Sequence, residues 1–352
     1  MLMVRYLKLL LLPFSWLYGT ITGIRNFCFD TGIIRSIRFD LPVISVGNLT
    51  AGGTGKTPMI EYIITLLQNK YRLATLSRGY KRQTTGIITA GETADARTIG
   101  DEPFQLYRKF HPQITVTVGE DRVFAIPCIL NDHPGTQVIL LDDAFQHRRI
   151  KPSFQILVTD FTRLFYKDFL LPAGLLREAR SGVKRADVIV VTKCPEDISR
   201  ESQSSIISRI RKYAGKNKPV FFSTINYGKP LTEEPGCKLS RKIILVTGIA
   251  NPVPLVLFLQ STYKIIRHFR YSDHHFFSQK DIRSMIRFYE QLENNDVSFL
   301  FTEKDYMRLM GTAPADKLKG YPVFFQPITY KFVAHGRKFD KMIIDSMAEF
   351  NN

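Results

Sequence analysis

The sequence predicts an α/β fold whose main sheet is largely parallel and covered by helices on both faces. Apolar runs alternate with helix-like stretches along the first two thirds of the chain, and a glycine-rich segment separates the first run from the first helix. A second, shorter alternation follows a polar stretch at residues 227–241. Strands that are apolar almost throughout are typical of parallel sheets buried on both faces. We therefore expect a main α/β domain and a smaller one.

The predicted elements divide the 352 residues into four parts, and the smaller domain is expected to close over the site. The parts are an apolar helix at 1–30, the main domain at 31–226, a linker at 227–241 and the smaller domain at 242–352. The strands are predicted at 41–46, 72–77, 114–118, 137–141, 154–159, 187–192, 220–223, 243–247, 264–269, 297–301 and 322–325, and three helices at 58–68, 104–110 and 279–292. Ligands in such sheets bind beyond the carboxyl ends of the strands.

The segment Thr-Ala-Gly-Gly-Thr-Gly-Lys-Thr at residues 50–57 predicts a phosphate-binding loop, because a strand precedes it and a helix follows it. Glycines let backbone N–H groups surround a phosphate, Lys56 can reach the β- and γ-phosphates, and the Thr57 hydroxyl can bind Mg²⁺. The main domain is therefore P-loop NTPase-like, with ATP and Mg²⁺ as expected ligands. The residues expected at the nucleotide are Thr50, which replaces the usual first glycine, and Gly52, Gly53, Thr54, Gly55, Lys56 and Thr57.

Two acidic pairs lie where predicted elements meet loops. Asp142 and Asp143 follow a buried strand, which is where a carboxylate near Mg²⁺ is mounted, although either residue can instead cap a helix. Asp101 and Glu102 precede a helix-like stretch, where one carboxylate can accept a hydroxyl proton and the other can assist Mg²⁺. The second pair also fits a capped helix start followed by proline, and both interpretations can hold together.

Other polar residues give weaker signals. Arg78 follows a strand end and can either clamp a phosphate or belong to a solvated basic loop. His274 and His275 are adjacent, but no third ligand stands at a recognisable spacing, so a metal site is not favoured. A histidine that orients a catalytic carboxylate and a plain surface histidine both remain open.

The chain carries a formal net charge of +17, which indicates an anionic partner. Nucleic acid, acidic lipid headgroups and phosphorylated substrates are the candidates. The sequence has neither an RNA-binding sheet signature nor a Cys/His finger, which argues against nucleic acid. Its four cysteines are far apart and predict neither a disulfide framework nor a cysteine zinc site, so a reducing cytoplasm fits best.

An uncharged stretch, residues 9–24, lies near the N-terminus. As a helix it would extend about 24 Å, short of the roughly 30 Å hydrocarbon core, and Pro13 interrupts it. No convincing signal-peptide cleavage site follows. The favoured interpretation is a helix lying in a membrane surface, and a terminal helix packed on the protein's own core is the alternative.

Eight motifs, taken in order, resemble those of one family: V-G-N-L-T-x-G-G-T-G-K-T-P, S-R-G-Y, G-D-E-P, L-D-D-x-x-Q-H, L-P-A-G-L-L-R-E, V-T-G-I-A-N-P, D-H-H-F-F and T-E-K-D. Together they resemble the tetraacyldisaccharide 4'-kinases, the lipid A 4'-kinases of Gram-negative bacteria, from the N-terminus to about residue 330. Each motif alone is weak, whereas the ordered set is specific. The chain departs from the family at Ala179, where proline is common.

The resemblance implies transfer of the ATP γ-phosphate to the 4'-hydroxyl of an acylated glucosamine disaccharide 1-phosphate, giving lipid IVA at the cytoplasmic face of the inner membrane. A membrane-borne substrate gives the apolar N-terminus and the basic charge a common cause. By the same resemblance Asp101 is the base, paired with His274, and Thr57, Glu102 and Asp143 are associated with the metal. Further active-site candidates are Asp142, Gln146, His147, Arg78 and Arg177.

A rival hypothesis from another class is a nucleotide-driven switch acting on a protein partner. The loop at residues 50–57 also resembles that of partitioning and metal-insertion ATPases. Those proteins typically place a lysine where Ala51 stands, and the guanine-reading N-K-x-D motif is not present, because Thr192-Lys193-Cys194-Pro195 lacks its aspartate. The two hypotheses predict different requirements for ADP release, which are acceptor lipid for a kinase and a protein partner for a switch. No protein partner is identified by the sequence.

Overall fold

In a computed structural model the chain is built on two sheets, and the structure describes residues 2–234, 236–292, 296–310 and 312–350. The strands are β1 (Val43–Gly47), β2 (Leu73–Ser77), β3 (Ile88–Thr89), β4 (Ile114–Val118), β5 (Val138–Asp142), β6 (Phe154–Asp160), β7 (Val188–Thr192), β8 (Val220–Tyr227), β9 (Lys242–Thr247), β10 (Lys264–Arg270), β11 (Ser298–Thr302), β12 (Val323–Gln326) and β13 (Ile328–Phe332). The helices are α1 (Leu2–Asp30), α2 (Lys56–Leu67), α3 (Ala96–Ile99), α4 (Asp101–Phe110), α5 (Arg122–Asp132), α6 (Arg200–Ala214), α7 (Val253–Gln260), α8 (Gln279–Glu290), α9 (Glu303–Leu309) and α10 (Gly336–Ala348).

The larger sheet has nine strands in the order β13-β8-β7-β6-β1-β5-β2-β4-β3. Its seven inner strands run parallel, whereas the edge strands β3 and β13 are antiparallel to their neighbours. The predicted α/β fold with a largely parallel sheet is confirmed. Because the inner strands are parallel, the loops after β1, β2, β5, β6 and β7 emerge at one edge of the sheet.

Helices cover both faces of the larger sheet, as the apolar strands require. Successive residues of β5 point to opposite faces, so Val138 and Leu140 join one buried cluster while Ile139 and Leu141 join another. Helices α2, α4 and α10 pack on the first face. Helices α5 and α6 pack on the opposite face.

The smaller sheet consists of four parallel strands in the order β10-β9-β11-β12. Helices α8 and α9 pack on one of its faces through residues such as Ile282, Met285 and Tyr306. Helix α7 packs on the opposite face through Leu255 and Leu259. This sheet therefore has its own buried clusters and, through α9, supplies side chains to the site described below.

The C-terminal segment differs from the predicted assignment of residues 242–352 to the smaller domain. After β12 the chain returns to the larger sheet, where β13 pairs with β8 in the register Ile328 to Tyr227. Helix α10 then buries Phe339, Ile343 and Met347 against the larger sheet. Only Pro327 separates β12 from β13, so the local pattern gives no sign that the chain changes sheet.

Helix α1, Leu2–Asp30, extends beyond the uncharged stretch at residues 9–24 and continues through Pro13. Its polar side faces the protein: the Ser15 hydroxyl donates to the Leu170 carbonyl at 3.0 Å, and the Tyr18 hydroxyl donates to the Arg177 carbonyl at 2.8 Å. Its other side exposes the apolar residues Leu10, Phe14, Trp16, Leu17, Ile21, Ile24 and Phe27. Within the described part of the chain, no helix combines the length and the apolar character that crossing a membrane demands.

Candidate active site

The loop between β1 and α2 is fixed by hydrogen bonds from a buried side chain, and two of its glycines are open to solvent. The buried Asn48 amide donates to the Thr50 carbonyl at 2.7 Å and to the Thr54 hydroxyl at 2.6 Å. Gly52 has a φ of 106°, a conformation that favours glycine, and a Cβ added there or at Gly53 would meet no atom within 4 Å. The predicted loop therefore has the form of a cradle whose backbone can approach a phosphate.

Residues after β7 also support the loop. The Thr192 hydroxyl donates to the Thr54 carbonyl at 2.8 Å. The Lys193 ammonium donates to the Gly53 carbonyl and pairs with Asp160 at 2.7 Å. In the sequence this Thr-Lys pair stands out only as an incomplete guanine-reading motif, whereas in the structure both side chains donate to backbone carbonyls of the phosphate loop.

Asp143 lies beside two cations at the edge of the larger sheet. Arg177 binds its carboxylate with two N–H groups at 2.7 and 3.1 Å, and the Lys56 ammonium lies 3.7 Å from Oδ2. Arg177 also donates to the side-chain oxygen of Asn48, which ties this cluster to the loop. Burial acts to raise the pKa of Asp143, but Lys56 and Arg177 outweigh it and hold that pKa below the ordinary value. Asp143 is therefore charged at neutral pH.

Asp142, the last residue of β5, is 3% exposed, and its Oδ1 has no hydrogen-bond partner. Burial, with a further contribution from the Glu102 charge, raises its pKa to about 7, and Lys56 opposes the shift. The effect of the Glu102 charge on Asp142 means that the two predicted acidic pairs share one electrostatic environment. The structure therefore brings Glu102, Asp142, Asp143 and Lys56 together.

Asp101 begins α4 and is bonded by two side chains that belong to the smaller sheet's half of the chain. His274 Nδ1 lies 2.9 Å from Asp101 Oδ2, and Arg308 Nε donates to the same oxygen at 2.9 Å. Burial acts to raise the pKa of Asp101, but the His274 hydrogen bond and the Arg308 charge outweigh it and lower that pKa. Asp101 is thus a carboxylate near neutral pH, and its place at the N-terminus of α4 also favours the charged form.

Sequence reasoning missed Arg308 and gave no role to Lys304. The Lys304 ammonium donates to Glu102 at 3.0 Å, and its charge is the largest influence that lowers the pKa of Glu102. Both cations lie on α9, four residues apart and hence on one helix face. The T-E-K-D motif contains Lys304 and was the available signal. Arg308 lies outside every quoted motif.

The remaining candidates surround this centre. The Gln146 amide donates to the Asn48 carbonyl at 2.8 Å and to Glu178 at 3.0 Å, so Gln146 supports the loop from outside. Burial, reinforced by the nearby Arg122, lowers the pKa of His147 to about 4. Arg78 is exposed after β2, close enough to Arg122 for its charge to lower the Arg122 pKa.

The site contains groups suited to a nucleotide and a divalent cation. The open glycines suit a phosphate, and the orphaned Asp142 Oδ1 is a buried oxygen of the type that Mg²⁺ prefers. Asp143 and Glu102, both held as carboxylates, lie in the same environment. Among the described residues no three acidic or histidine side chains converge as a preformed metal site. The chemistry of these oxygens suits Mg²⁺ only in combination with other ligands, such as the Thr57 hydroxyl, which is buried at the start of α2, and phosphate oxygens of a nucleotide.

Comparison with known proteins identifies the family. Residues 7–348 match the tetraacyldisaccharide-1-P 4'-kinase family. The chain is 44% identical to a tetraacyldisaccharide 4'-kinase of Flavobacterium johnsoniae, covering 97% of this chain and 98% of the relative. It is 46% identical to the protein of the same name from Flavobacterium psychrophilum, covering 97% of each.

A solved structure agrees in fold. A crystal structure of LpxK from Aquifex aeolicus in complex with ATP superposes with a TM-score of 0.73 at 27% identity, covering 97% of this chain and 99% of that one. These likenesses support the kinase hypothesis and do not favour the switch hypothesis. The chain therefore belongs to the tetraacyldisaccharide-1-P 4'-kinase family and is an ATP-dependent kinase of lipid A biosynthesis.

Proposed function

We propose that the enzyme binds ATP with Mg²⁺ in the loop at residues 50–57 and transfers the γ-phosphate to the 4'-hydroxyl of tetraacyldisaccharide 1-phosphate, giving lipid IVA at the cytoplasmic face of the inner membrane. The observation that carries the assignment of roles is Asp101, a carboxylate bonded by both His274 and Arg308 at 2.9 Å. Its sequence neighbour Glu102 shares the electrostatic environment of Lys56. A proton acceptor and a phosphate-binding cation therefore lie close together.

Asp101 is the proposed base. It accepts the proton of the 4'-hydroxyl as that oxygen forms a bond to the γ-phosphorus and the bond to the ADP oxygen breaks. His274 and Arg308 keep the carboxylate charged and fix its orientation. A carboxylate with a lowered pKa is a weak base and does not remove the hydroxyl proton before the phosphoryl group begins to transfer. This suits a loose phosphoryl-transfer transition state in which the proton is transferred late.

Lys56, Arg177 and the acidic groups set the charge around the triphosphate. Lys56 is the proposed cation for the β- and γ-phosphates, and its pairing with Asp143 keeps it near the loop before nucleotide binds. Thr57, Glu102 and Asp143 are the proposed Mg²⁺ ligands, with Asp142 next to them. Bound Mg²⁺ would neutralise phosphate charge. The backbone N–H groups of Gly52 and Gly53 are in place before the reaction, so they stabilise phosphate charge without having to reorient.

The exposed side of α1 is the proposed membrane contact. Leu10, Phe14, Leu17, Ile21 and Ile24 recur every three or four residues, which aligns them along one helix face. A soluble surface rarely exposes so continuous an apolar stripe. The polar side of α1 bonds the Arg177 segment, so a bilayer bound to the stripe would hold the acceptor lipid near the site.

The smaller sheet with its helices is the proposed closing domain, joined to the larger sheet through residues 227–241 and Pro327. Its contribution of His274, Lys304 and Arg308 supports this role, because closure would complete the surroundings of Asp101. The final segment, β13 and α10, belongs to the larger sheet in this proposal. Closure would exclude water from the phosphate being transferred.

Radiolabelled phosphate transfer tests the proposed function. The purified enzyme is incubated with γ-³²P-ATP, MgCl₂ and tetraacyldisaccharide 1-phosphate in detergent micelles, and the lipid is separated by thin-layer chromatography. We expect label on the lipid and ADP release that requires the lipid. ADP release at full rate without lipid, with no labelled lipid, would contradict the proposal.

The membrane contact is tested by Phe14→Asp, matched by Phe124→Asp on α5. The two side chains are similarly exposed, at 62% and 65%. We expect Phe14→Asp to reduce sedimentation with vesicles of phosphatidylglycerol and phosphatidylethanolamine, because a charge in the stripe opposes insertion. Phe124→Asp should sediment like the wild type. Equal loss in both variants, or in neither, would exclude α1 as the specific contact.

A further inference from the structure

A lysine outside the substrate site lies between two buried carboxylates from different halves of the molecule. Lys109 Nζ is 2.6 Å from Glu61 Oε2 and 3.0 Å from Glu303 Oε1. The carboxylate side chains are 6% and 4% exposed. Glu61 also accepts from the Gln105 amide at 2.7 Å, and Glu303 accepts from the Ile328 backbone N–H at 3.3 Å.

Each of these three residues belongs to a helix that carries part of the site. Glu61 lies on α2, which begins at Lys56. Lys109 lies near the end of α4, which begins at Asp101, and Glu303 begins α9, which carries Lys304 and Arg308. The Lys109 ammonium group therefore joins three helices: α2, which follows the phosphate loop, α4, which carries Asp101, and α9, whose cations bond Asp101 and Glu102.

The position of Glu303 strengthens the link. Its second oxygen bonds the backbone at Ile328, the first residue of β13, where the chain crosses from the smaller sheet to the larger one. The neighbouring Gln326 amide donates to the Gly228 carbonyl at 2.6 Å, beside the opposite crossing after β8. The network thus contacts the junction of the two sheets as well as the three helices.

Removing the lysine would leave two buried carboxylates facing each other. Buried like charges without a partner are unfavourable, so the helices would separate or one carboxylate would take up a proton. Either response changes the relative placement of α2, α4 and α9. A displacement of about 1 Å between reacting groups can cost a phosphoryl-transfer enzyme about 10²-fold in rate.

We propose that Lys109 is a positioning residue, which through Glu61 and Glu303 holds the phosphate loop, Asp101 and the α9 cations in the arrangement that transfers phosphate. It contacts neither substrate. This role rests on the proposed function of the site, since it concerns the alignment of the base with the nucleotide. Its effect is on the chemical step and not on ATP binding, because Lys56 and the glycine loop keep their places relative to α2 when α2 shifts against α4 and α9.

The test uses the full-length enzyme and measures kcat, KM for ATP and thermal unfolding of Lys109→Met. We expect kcat to fall about 10- to 100-fold while KM for ATP changes less than about threefold. Lys109→Arg should recover most of kcat, because a guanidinium can bridge two carboxylates. Should Lys109→Met fail to fold, Glu303→Gln removes the charge that Lys109 meets on α9, leaves the Glu61 pair intact and is expected to lower kcat in the same direction.

Tyr62→Phe is the matched control. Tyr62 is next to Glu61 on α2, and its hydroxyl donates to Asp340 on α10 at 2.7 Å, so it ties α2 to a helix outside the site. We expect Tyr62→Phe to lower stability but not kcat. A Lys109→Met enzyme that is merely less stable, with wild-type kcat, would overturn the positioning role. Absence of lipid phosphorylation by the wild type would instead count against the proposed function itself.

Discussion

The two halves of the site are built in different ways. The phosphate-loop half lies on the larger sheet, where Asn48 and Thr192 hold the loop and Arg177 binds Asp143. The base half spans both sheets: Asp101 belongs to the larger sheet's half, but its partners His274 and Arg308 come from 173 and 207 residues further along the chain. The first half is therefore fixed by one sheet and the second by how the two sheets meet.

This difference separates binding from catalysis. A loop supported within one sheet can bind a triphosphate regardless of how the smaller sheet is placed. A base whose two partners come from the other sheet is complete only when the sheets are correctly placed. Changes in the loop half should therefore affect nucleotide affinity together with rate, whereas changes in the base half should affect rate and its pH dependence with little effect on affinity.

A large loss of both rate and ATP affinity is expected in the loop half. Lys56→Ala should lower phosphate transfer at least about 10²- to 10³-fold and weaken ATP binding, because Lys56 belongs to the loop itself and is the proposed cation for the β- and γ-phosphates. Steady-state kinetics and calorimetric ATP titration measure the two effects. Lys331→Ala, at an exposed pair with Glu196, is the control and should match the wild type. Normal ATP affinity and rate in Lys56→Ala would remove the loop from the mechanism.

A smaller loss, confined to rate, is expected when the histidine partner of the base is replaced. The His274 hydrogen bond helps to lower the pKa of Asp101, so His274→Gln should raise that pKa. The base must be unprotonated, and the acidic limb of kcat/KM should therefore move to higher pH, with about a tenfold loss at neutral pH. ATP affinity should be unchanged.

The adjacent histidine provides the control for this pH profile. His275 bonds Asp281 at 3.1 Å and stacks on Tyr271 with ring centroids 4.4 Å apart, so its side chain does not contact Asp101. His275→Gln should keep the wild-type acidic limb. If both variants shift the limb equally, the histidines act through local structure and the pairing of His274 with Asp101 is not responsible.

A further effect concerns the stability of the junction between the halves. Burial, with a contribution from the Glu303 charge, raises the pKa of Glu61 from 4.5 to about 7, and Lys109 opposes it. The charged form is thus disfavoured in the folded state, and the wild type should lose stability as pH rises from about 4.5 to 7. Glu61→Gln does not ionise and should gain up to about 3 kcal/mol relative to the wild type across that window, at roughly 1.4 kcal/mol per pKa unit.

Urea unfolding at about pH 5 and pH 7.5 measures this difference. Glu349→Gln, which removes an exposed carboxylate 3.4 Å from Arg38, should show no such trend. A wild type that instead becomes more stable relative to Glu61→Gln as pH rises would mean that Lys109 lowers the Glu61 pKa further than burial raises it.

The loop half could be predicted from the sequence because its parts are contiguous. A strand, the residues 50–57 and a helix follow one another, and Asp142 and Asp143 come directly after an apolar run. The inner strands were likewise recognisable, since a buried parallel strand is apolar throughout. The predicted strand bounds differ from the observed ones by a few residues at most, except at β8, which continues to Tyr227.

The base half was less predictable because long-range contacts define it. Helix α9 has seven residues, too few for an amphipathic period, so the shared face of Lys304 and Arg308 gave no pattern. The helix predicted to start near Phe104 begins at Asp101, where acidic residues favour a helix N-terminus. The return of β13 to the larger sheet depends on pairing with β8, which no local pattern encodes.

Asp101 is the proposed acceptor of the proton of the lipid hydroxyl. Single-turnover transfer from γ-³²P-ATP to tetraacyldisaccharide 1-phosphate, measured for Asp101→Asn with ATP affinity determined on the same preparation, tests it most directly. We predict that the transfer rate falls about 10²- to 10⁴-fold, because the amide cannot accept the proton, while ATP binds as in the wild type. A transfer rate within about threefold of the wild type, at normal ATP affinity, would exclude Asp101 as the proton acceptor.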